Sequence, residues 1–387
     1  MVELNKIYLG HTLDILKSWP DSFIDSCITS PPYWGLRAYG TKPQIWDGNP
    51  KCKHQRKEER TERMNSSGGQ ESKKLAVKNK ENFQESTNYK DRATYSNTCH
   101  LCGAWRGELG TEPHFNLFIN HLIQIFDEVK RILKPTGTCW VNLGDSYGGT
   151  GDKGTYKDPK YPNGRNGQAK AVNKNAIAKS LCCIPDRFKI AMIDNDWICR
   201  NEIIWYKRNC MPSSASDRFT VDFEKIFFFT KQKKYWFKQQ FEDYAPSSDV
   251  RYRQKLRAGK TYNSKEPYKE NLPYHSIKRR SNDKDGLCIG GGNPQGRNMR
   301  TVWNIPTKPY KEAHFATFPP ALPTRCLISG CPTNGIVLDP FMGSGTTAVA
   351  AKLLKVQWLG IELNPEYKTI ADKRINDATI NGTLEGM

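Results

Sequence analysis

From Phe115 to Leu133 the apolar positions Phe115, Phe118, Leu122, Ile125, Phe126, Val129, Ile132 and Leu133 recur every three or four residues, the spacing that lines one face of a helix. Pro135 and Gly137 stop that pattern, and Cys139 to Leu143 follows as a strand. Elsewhere the apolar residues gather in short runs: Phe23 to Ile28, Ile198 to Tyr206, Ile226 to Phe229, Ile336 to Leu338 and Gln357 to Ile361. Runs of that length read as buried strands, whereas Ala348 to Leu354 and Pro365 to Ile380 read as helices. Helix and strand therefore alternate, which predicts an α/β fold built on a doubly wound, mostly parallel sheet.

Two motifs lie where such strands release the chain at their carboxyl ends, the place where an open α/β sheet binds ligands. One is Asp339-Pro340-Phe341-Met342-Gly343-Ser344-Gly345-Thr346-Thr347, after the run Ile336 to Leu338. Its glycines permit a tight turn and close backbone approach to a ligand, and the helix that follows points its amino end at the same spot. The next strand ends in Glu362, at the offset from Asp339 where a carboxylate reaches a ribose diol in dinucleotide-type folds. A nucleoside-bearing cofactor is implied. A nucleoside triphosphate is disfavoured, because no Lys follows the glycines as a phosphate loop requires.

The other motif is Thr29-Ser30-Pro31-Pro32-Tyr33, after Phe23 to Ile28. The exocyclic amine of cytosine or adenine is a poor nucleophile because its lone pair is delocalised into the ring. An enzyme that attacks through it must place acceptors on its two hydrogens, and Ser30 Oγ and the Pro31 carbonyl are suited to that task. Pro31 and Pro32 fix φ and remove competing backbone donors, and Tyr33 offers an aromatic face to a base that has left the stack. Asn142, Gly144 and Asp145 close the strand before them, either as a lining of this site or as a plain strand-to-loop cap.

On these two motifs the chain resembles the β class of DNA amino-methyltransferases, in which the catalytic motif precedes the cofactor motif. The resemblance covers most of the chain outside 55–98 and 240–295. It extends to Ala313-His314-Phe315-Ala316-Thr317-Phe318-Pro319 with Leu322-Pro323, similar to the segment that packs on the donor, and to the blocks Ile184-Pro185-Asp186-Arg187, Trp197, Arg200 to Trp205, Lys207 and Glu224 to Phe229. The resemblance implies a Rossmann-like methyltransferase fold with circularly permuted motif order and inserted recognition elements. It also implies S-adenosylmethionine as the donor, contacted by Asp339, Pro340, Phe341, Gly343, Gly345, Thr346 and Glu362 with Phe318 and Pro319, and a catalytic loop of Ser30, Pro31, Pro32 and Tyr33. In this family Ser at the first motif position goes mainly with cytosine N4 and Asp mainly with adenine N6, so Ser30 favours cytosine. One departure stands out: where family members commonly carry Gly-Asp, whose Asp helps hold the donor's adenine, this chain has Gly10-His11.

Charge agrees with a nucleic-acid substrate. Lys and Arg total 59 against 40 Asp and Glu, a net charge of +19 that attracts phosphate. Basic residues crowd Arg251 to Arg300 together with Tyr252, Tyr262, Tyr268 and Tyr274, material that tracks a backbone and stacks on bases rather than forming a core. The expected organisation is a catalytic part at 1–51, an insertion at 52–112, core at 113–239 with a mobile loop at 148–175, a basic target-recognition region at 240–300, and a cofactor-binding part at 301–387. No signal peptide or membrane span is apparent, and a cytoplasmic location is expected.

Twelve cysteines in such a protein read as reduced thiols with some metal ligands. Cys52-Lys53-His54 and Cys99-His100-Leu101-Cys102 flank a polar stretch at 55–98, and Cys99 and Cys102, followed by Gly103, have the spacing with which two thiolates grip a tetrahedral zinc. Cys52 and His54 complete a four-ligand structural site; His100 is the alternative to His54, a redox pair the rival and free thiols the plain case. Cys182 and Cys183 read as packing.

The leading expectation is a site-specific DNA methyltransferase that acts on double-stranded DNA, with a separately encoded restriction endonuclease as a possible companion. Carbon-5 cytosine methylation is disfavoured because it needs a Cys nucleophile, usually after Pro, and no Pro-Cys dipeptide occurs. RNA or a protein amide as acceptor, and a zinc-containing DNA-binding protein without catalysis, are the other readings.

Overall fold

The computed structural model describes residues 2–36, 41–55, 58–59, 94–95, 97–149, 176–243, 296–307 and 317–378. Most of the 55–98 stretch, most of the 148–175 loop, nearly all of the basic 240–300 region with its tyrosines, and Ala313 to Ala316 lie outside the described residues.

Eight strands form the central sheet: β1 (Lys6–Leu9), β2 (Ile24–Thr29), β3 (Leu133–Leu143), β4 (Ile198–Tyr206), β5 (Phe223–Thr230), β6 (Val302–Asn304), β7 (Ile336–Asp339) and β8 (Gln357–Glu362). Their order is β1-β8-β7-β2-β3-β5-β4-β6, and every neighbouring pair is parallel except the two that β5 makes with β3 and β4. Helices α1 (Thr12–Lys17), α2 (Phe115–Ile132) and α3 (Ile184–Asp194) cover one face, and α4 (Ala321–Gly330), α5 (Thr346–Leu353) and α6 (Pro365–Asp377) the other. The doubly wound sheet is therefore present.

The central strands carry apolar residues on both faces because helices cover both sides of the sheet. Cys139, Val141 and Leu143 of β3 and Phe227 and Phe229 of β5 join the core under α2 and α3, while Trp140, Ile226 and Phe228 join the core under α4 and α5. Trp140 and Phe228 are register partners and stack at 4.0 Å between ring centroids. The helical stripe of α2 is fully buried at Phe118, Leu122, Ile125, Phe126, Val129 and Ile132, each contributing roughly 1.5–3 kcal/mol of burial.

Two local readings need correction. β3 starts at Leu133 rather than Cys139, because Pro135 and Gly137 are carried in an irregular stretch: Ile24 pairs with Leu133 and Ser26 with Thr138. Cys182 is buried, but Cys183 is exposed and takes a left-handed conformation at the start of α3, so it is no packing residue. No helix of the described residues is long and apolar enough to cross a membrane.

The topology brings the two motifs together. β7 lies beside β2, with Val337 paired to Ser26 and Leu338 to Cys27, although most of the chain separates them. The central blocks also converge: Lys225 Nζ lies 2.8 Å from Asp186 and 2.9 Å from Glu202, so one ion-pair cluster ties α3, β4 and β5.

Candidate active site

At the carboxyl end of β7, Asp339 is 1% exposed and takes three hydrogen bonds. Thr29 Oγ1 donates at 2.6 Å from the end of β2, Thr347 Oγ1 at 2.7 Å from α5, and the Phe341 N–H at 3.1 Å. This one carboxylate thus joins β2 to the glycine loop. Burial pushes its pKa up to about 6, against the pull of those hydrogen bonds. Asp339 therefore holds a proton more readily in the folded chain than in the unfolded one, and its stabilising contribution is full below about pH 4 and lost as pH rises through about 6. We expect Asp339→Asn, followed by urea unfolding from pH 4 to 7, to gain on the parent protein by up to about 3 kcal/mol across that window. A stability difference that stays flat with pH counts against a proton held at Asp339.

The loop beyond it is shaped by Gly343 (φ +52°) and Gly345 (φ +80°), the latter at the amino end of α5. A Cβ on Gly343 would meet no heavy atom nearer than the Phe341 carbonyl oxygen at 3.9 Å, so that side of the loop is open to a ligand. A Cβ on Gly345 would instead press on Ala371 at 3.0 Å, which keeps α6 close. Glu362 ends β8 and accepts the Gly343 N–H and the Asn364 N–H, each at 2.8 Å, on its two oxygens. Burial raises its pKa, with both backbone donors opposing. Each oxygen keeps a second acceptor position, so a ribose diol can be added without breaking the loop's tether.

The remaining expected donor residues fall into different settings. The Pro340 carbonyl accepts from Thr12 Oγ1 at 2.9 Å, and Phe341 packs on the core under α1 and α2. Phe318 packs on the opposite core, and Pro319 is buried ahead of α4. Thr346 Oγ1 accepts from Arg374 at 2.8 Å, which ties its hydroxyl to α6. His11, at the amino end of α1, sets Nδ1 3.2 Å from Asp14, while its buried Nε2 has no hydrogen-bond partner among the described residues.

On the neighbouring strand end, Ser30 Oγ donates to Tyr33 Oη at 3.3 Å, and Tyr33 Oη donates to Glu224 Oε2 at 2.8 Å. Asn142 Oδ1 stands 3.2 Å from the same hydroxyl. Lys207 pairs with the other Glu224 oxygen and lies 4.8 Å from the centre of the Trp205 ring. Gly144 is required beside this group, since a Cβ there would fall 2.5 Å from the Tyr33 ring. The row Ser30, Tyr33, Glu224, Lys207 is thus an oriented chain from a small acceptor to a carboxylate held by a cation. Sequence reading placed Glu224 and Lys207 in family blocks without a role, and it quoted Thr29 and Thr347 inside the two motifs without assigning either one a function. Their position at strand ends on the motif side of the sheet was the available signal.

Cys52, His54, Cys99 and Cys102 meet, with one ligand atom from each lying within 4.8 Å of the others. His100 does not join them: its Nδ1 faces the Gln55 carbonyl at 2.9 Å.

Fold and site together set a doubly wound α/β sheet with a glycine loop at the end of β7 beside the Ser30-Pro31-Pro32-Tyr33 loop at the end of β2. A family model for N6 and N4 DNA methylases matches residues 24–373, and the chain belongs to that family. It is similar to the Type II methyltransferase M.SmaI of Serratia marcescens, 30% identical over 370 residues that cover 96% of this chain and 90% of that protein. A similar match is M.Cfr9I of Citrobacter freundii, 30% identical over 384 residues, covering 98% and 91%. Among solved structures, PvuII DNA methyltransferase (cytosine-N4-specific) superposes with a TM-score of 0.51 at 15% identity, covering all of this chain and 90% of that one, which shows the shared fold.

Proposed function

We propose that this DNA methyltransferase moves a methyl group from S-adenosylmethionine to the exocyclic amine of a base flipped out of double-stranded DNA, with cytosine N4 as the target ahead of adenine N6. The observation that carries the reading is the hydrogen-bond chain from Ser30 through Tyr33 to Glu224, set on the strand next to the glycine loop. Bound at that loop, the donor supplies an electrophilic methyl group on a sulfonium. The protein's own part is at the amine. Ser30 Oγ has a free acceptor position for one amine hydrogen and the Pro31 carbonyl takes the other, which localises the nitrogen lone pair. As the methyl carbon exchanges its bond to sulfur for one to the amine nitrogen, the amine proton passes to Ser30, Ser30's proton to Tyr33 and Tyr33's proton to Glu224.

Asp339, Phe341, Gly343 and Glu362 are the donor contacts, with Glu362 on the ribose. The family supports DNA over RNA or a protein amide as acceptor, and the intact chain supports catalysis over binding alone. The charge of +19 and the basic 240–300 region support DNA binding and target reading there. Similarity to Type II methyltransferases supports a modification role on DNA. Mass analysis of nucleosides from DNA incubated with the protein and labelled donor tests the target: label is expected in N4-methylcytosine. Label in N6-methyladenine alone overturns the choice of base, and absence of either product overturns the reading.

A further inference from the structure

The Cys52, His54, Cys99 and Cys102 cluster sits at the ends of two short paired strands that connect, through His121 and Glu112, to the residues following Tyr33. Cys52 and His54 follow the short strand Gln44–Trp46, and Cys99 and Cys102 precede its antiparallel partner Trp105–Gly107. Cys52 Sγ is 3.8 Å from Cys99 Sγ, and Cys102 Sγ is 3.4 Å from His54 Nδ1. With Zn–S near 2.3 Å and Zn–N near 2.0 Å, the edges of a tetrahedral site are about 3.8 Å for S to S and about 3.5 Å for S to N. A disulfide needs about 2.05 Å, so the thiols stand apart as ligands do. The turn is a knuckle: the Gly103 N–H donates to the Cys99 carbonyl at 2.9 Å, with Gly103 at φ +76°.

The two short strands hold a buried polar relay. Trp46 and Trp105 are register partners on these strands, and both rings stack on His121, with centroids at 4.6 and 5.5 Å. His121 Nδ1 lies 2.8 Å from Glu112 Oε1, and Nε2 lies 2.8 Å from Asp47 Oδ2. Glu112 Oε2 accepts the Gly110 N–H at 2.7 Å, and its carbonyl accepts the Trp34 indole N–H at 2.9 Å. The Gly35 N–H donates to the Gly110 carbonyl at 2.9 Å. Trp34 and Gly35 directly follow Tyr33.

We propose that Cys52, His54, Cys99 and Cys102 bind one tetrahedral zinc ion, and that this centre fixes the Trp46 and Trp105 strands so that His121 and Glu112 seat the Ser30 to Tyr33 loop. His121 and Glu112 are positioning residues. The amine-methylation reading does not depend on this centre.

The test uses the full chain, purified without added metal. Elemental analysis is expected to give about one zinc per chain, and cobalt substitution to give the intense visible bands of a tetrahedral thiolate site. His54→Ala should lose the metal and lower kcat about tenfold or more with S-adenosylhomocysteine affinity within about twofold, whereas His54→Cys should retain both metal and kcat. Removing zinc from the parent protein with a mercurial reagent should reproduce the His54→Ala kinetics. Zinc well below one per chain together with a featureless cobalt spectrum overturns the site. Full kcat in the metal-free protein overturns the positioning role and leaves amine methylation standing.

Discussion

Ser30→Ala is expected to lower kcat for methyl transfer by a factor on the order of 10² to 10³, with the dissociation constant for S-adenosylmethionine within about twofold. The hydroxyl is the only side-chain acceptor offered by Ser30-Pro31-Pro32, and its loss leaves one amine hydrogen unpaired while charge develops on nitrogen. It also cuts the chain to Tyr33. Donor binding should survive because the glycine loop is held by Asp339 and Glu362, neither of which bonds Ser30. Glu224→Gln removes the charged end of the same chain and should cost about 10- to 100-fold in kcat, less than additively with Tyr33→Phe because the two share one hydrogen bond. Single-turnover rates and donor titrations on the same preparations separate the two effects. A Ser30→Ala enzyme that loses donor binding in proportion to kcat defeats the assignment.

Glu362→Ala should show the opposite pattern, raising the donor dissociation constant about 100-fold or more. Two losses act together. The ribose loses a carboxylate acceptor, and the Gly343 and Asn364 N–H groups, each now satisfied at 2.8 Å, lose their partner. A buried donor left unpaired costs roughly 1–3 kcal/mol, so the loop relaxes just where it must meet the ligand. Glu362→Gln keeps an acceptor for only part of this set and should fall between. Calorimetric titration with S-adenosylhomocysteine measures the effect without turnover. Unchanged affinity in Glu362→Ala would remove Glu362 from the donor site and move the ribose elsewhere.

The sequence by itself determined many of the elements and the two loops, since apolar runs, helical spacing and glycine or proline chemistry are local. Phe118 to Ile132, the strands ending at Thr29, Asp339 and Glu362, and the pairing of Cys99 with Cys102 are all legible without a partner in view. Four matters were decided only by tertiary structure. Sheet order placed β7 beside β2, so that Thr29 and Thr347 both reach Asp339. The antiparallel register of β5 on β3 set Glu224 against Tyr33 and gave that tyrosine a hydrogen-bonding role beyond its aromatic face. The fold of the turn after Cys52 brought His54 to the thiols and left His100 on the Gln55 carbonyl. Irregular pairing let β3 run through Pro135 and Gly137, whose backbone preferences alone forecast a later start. In each case the deciding contact joins residues far apart along the chain, and its geometry depends on strand order and register, which local pattern does not encode.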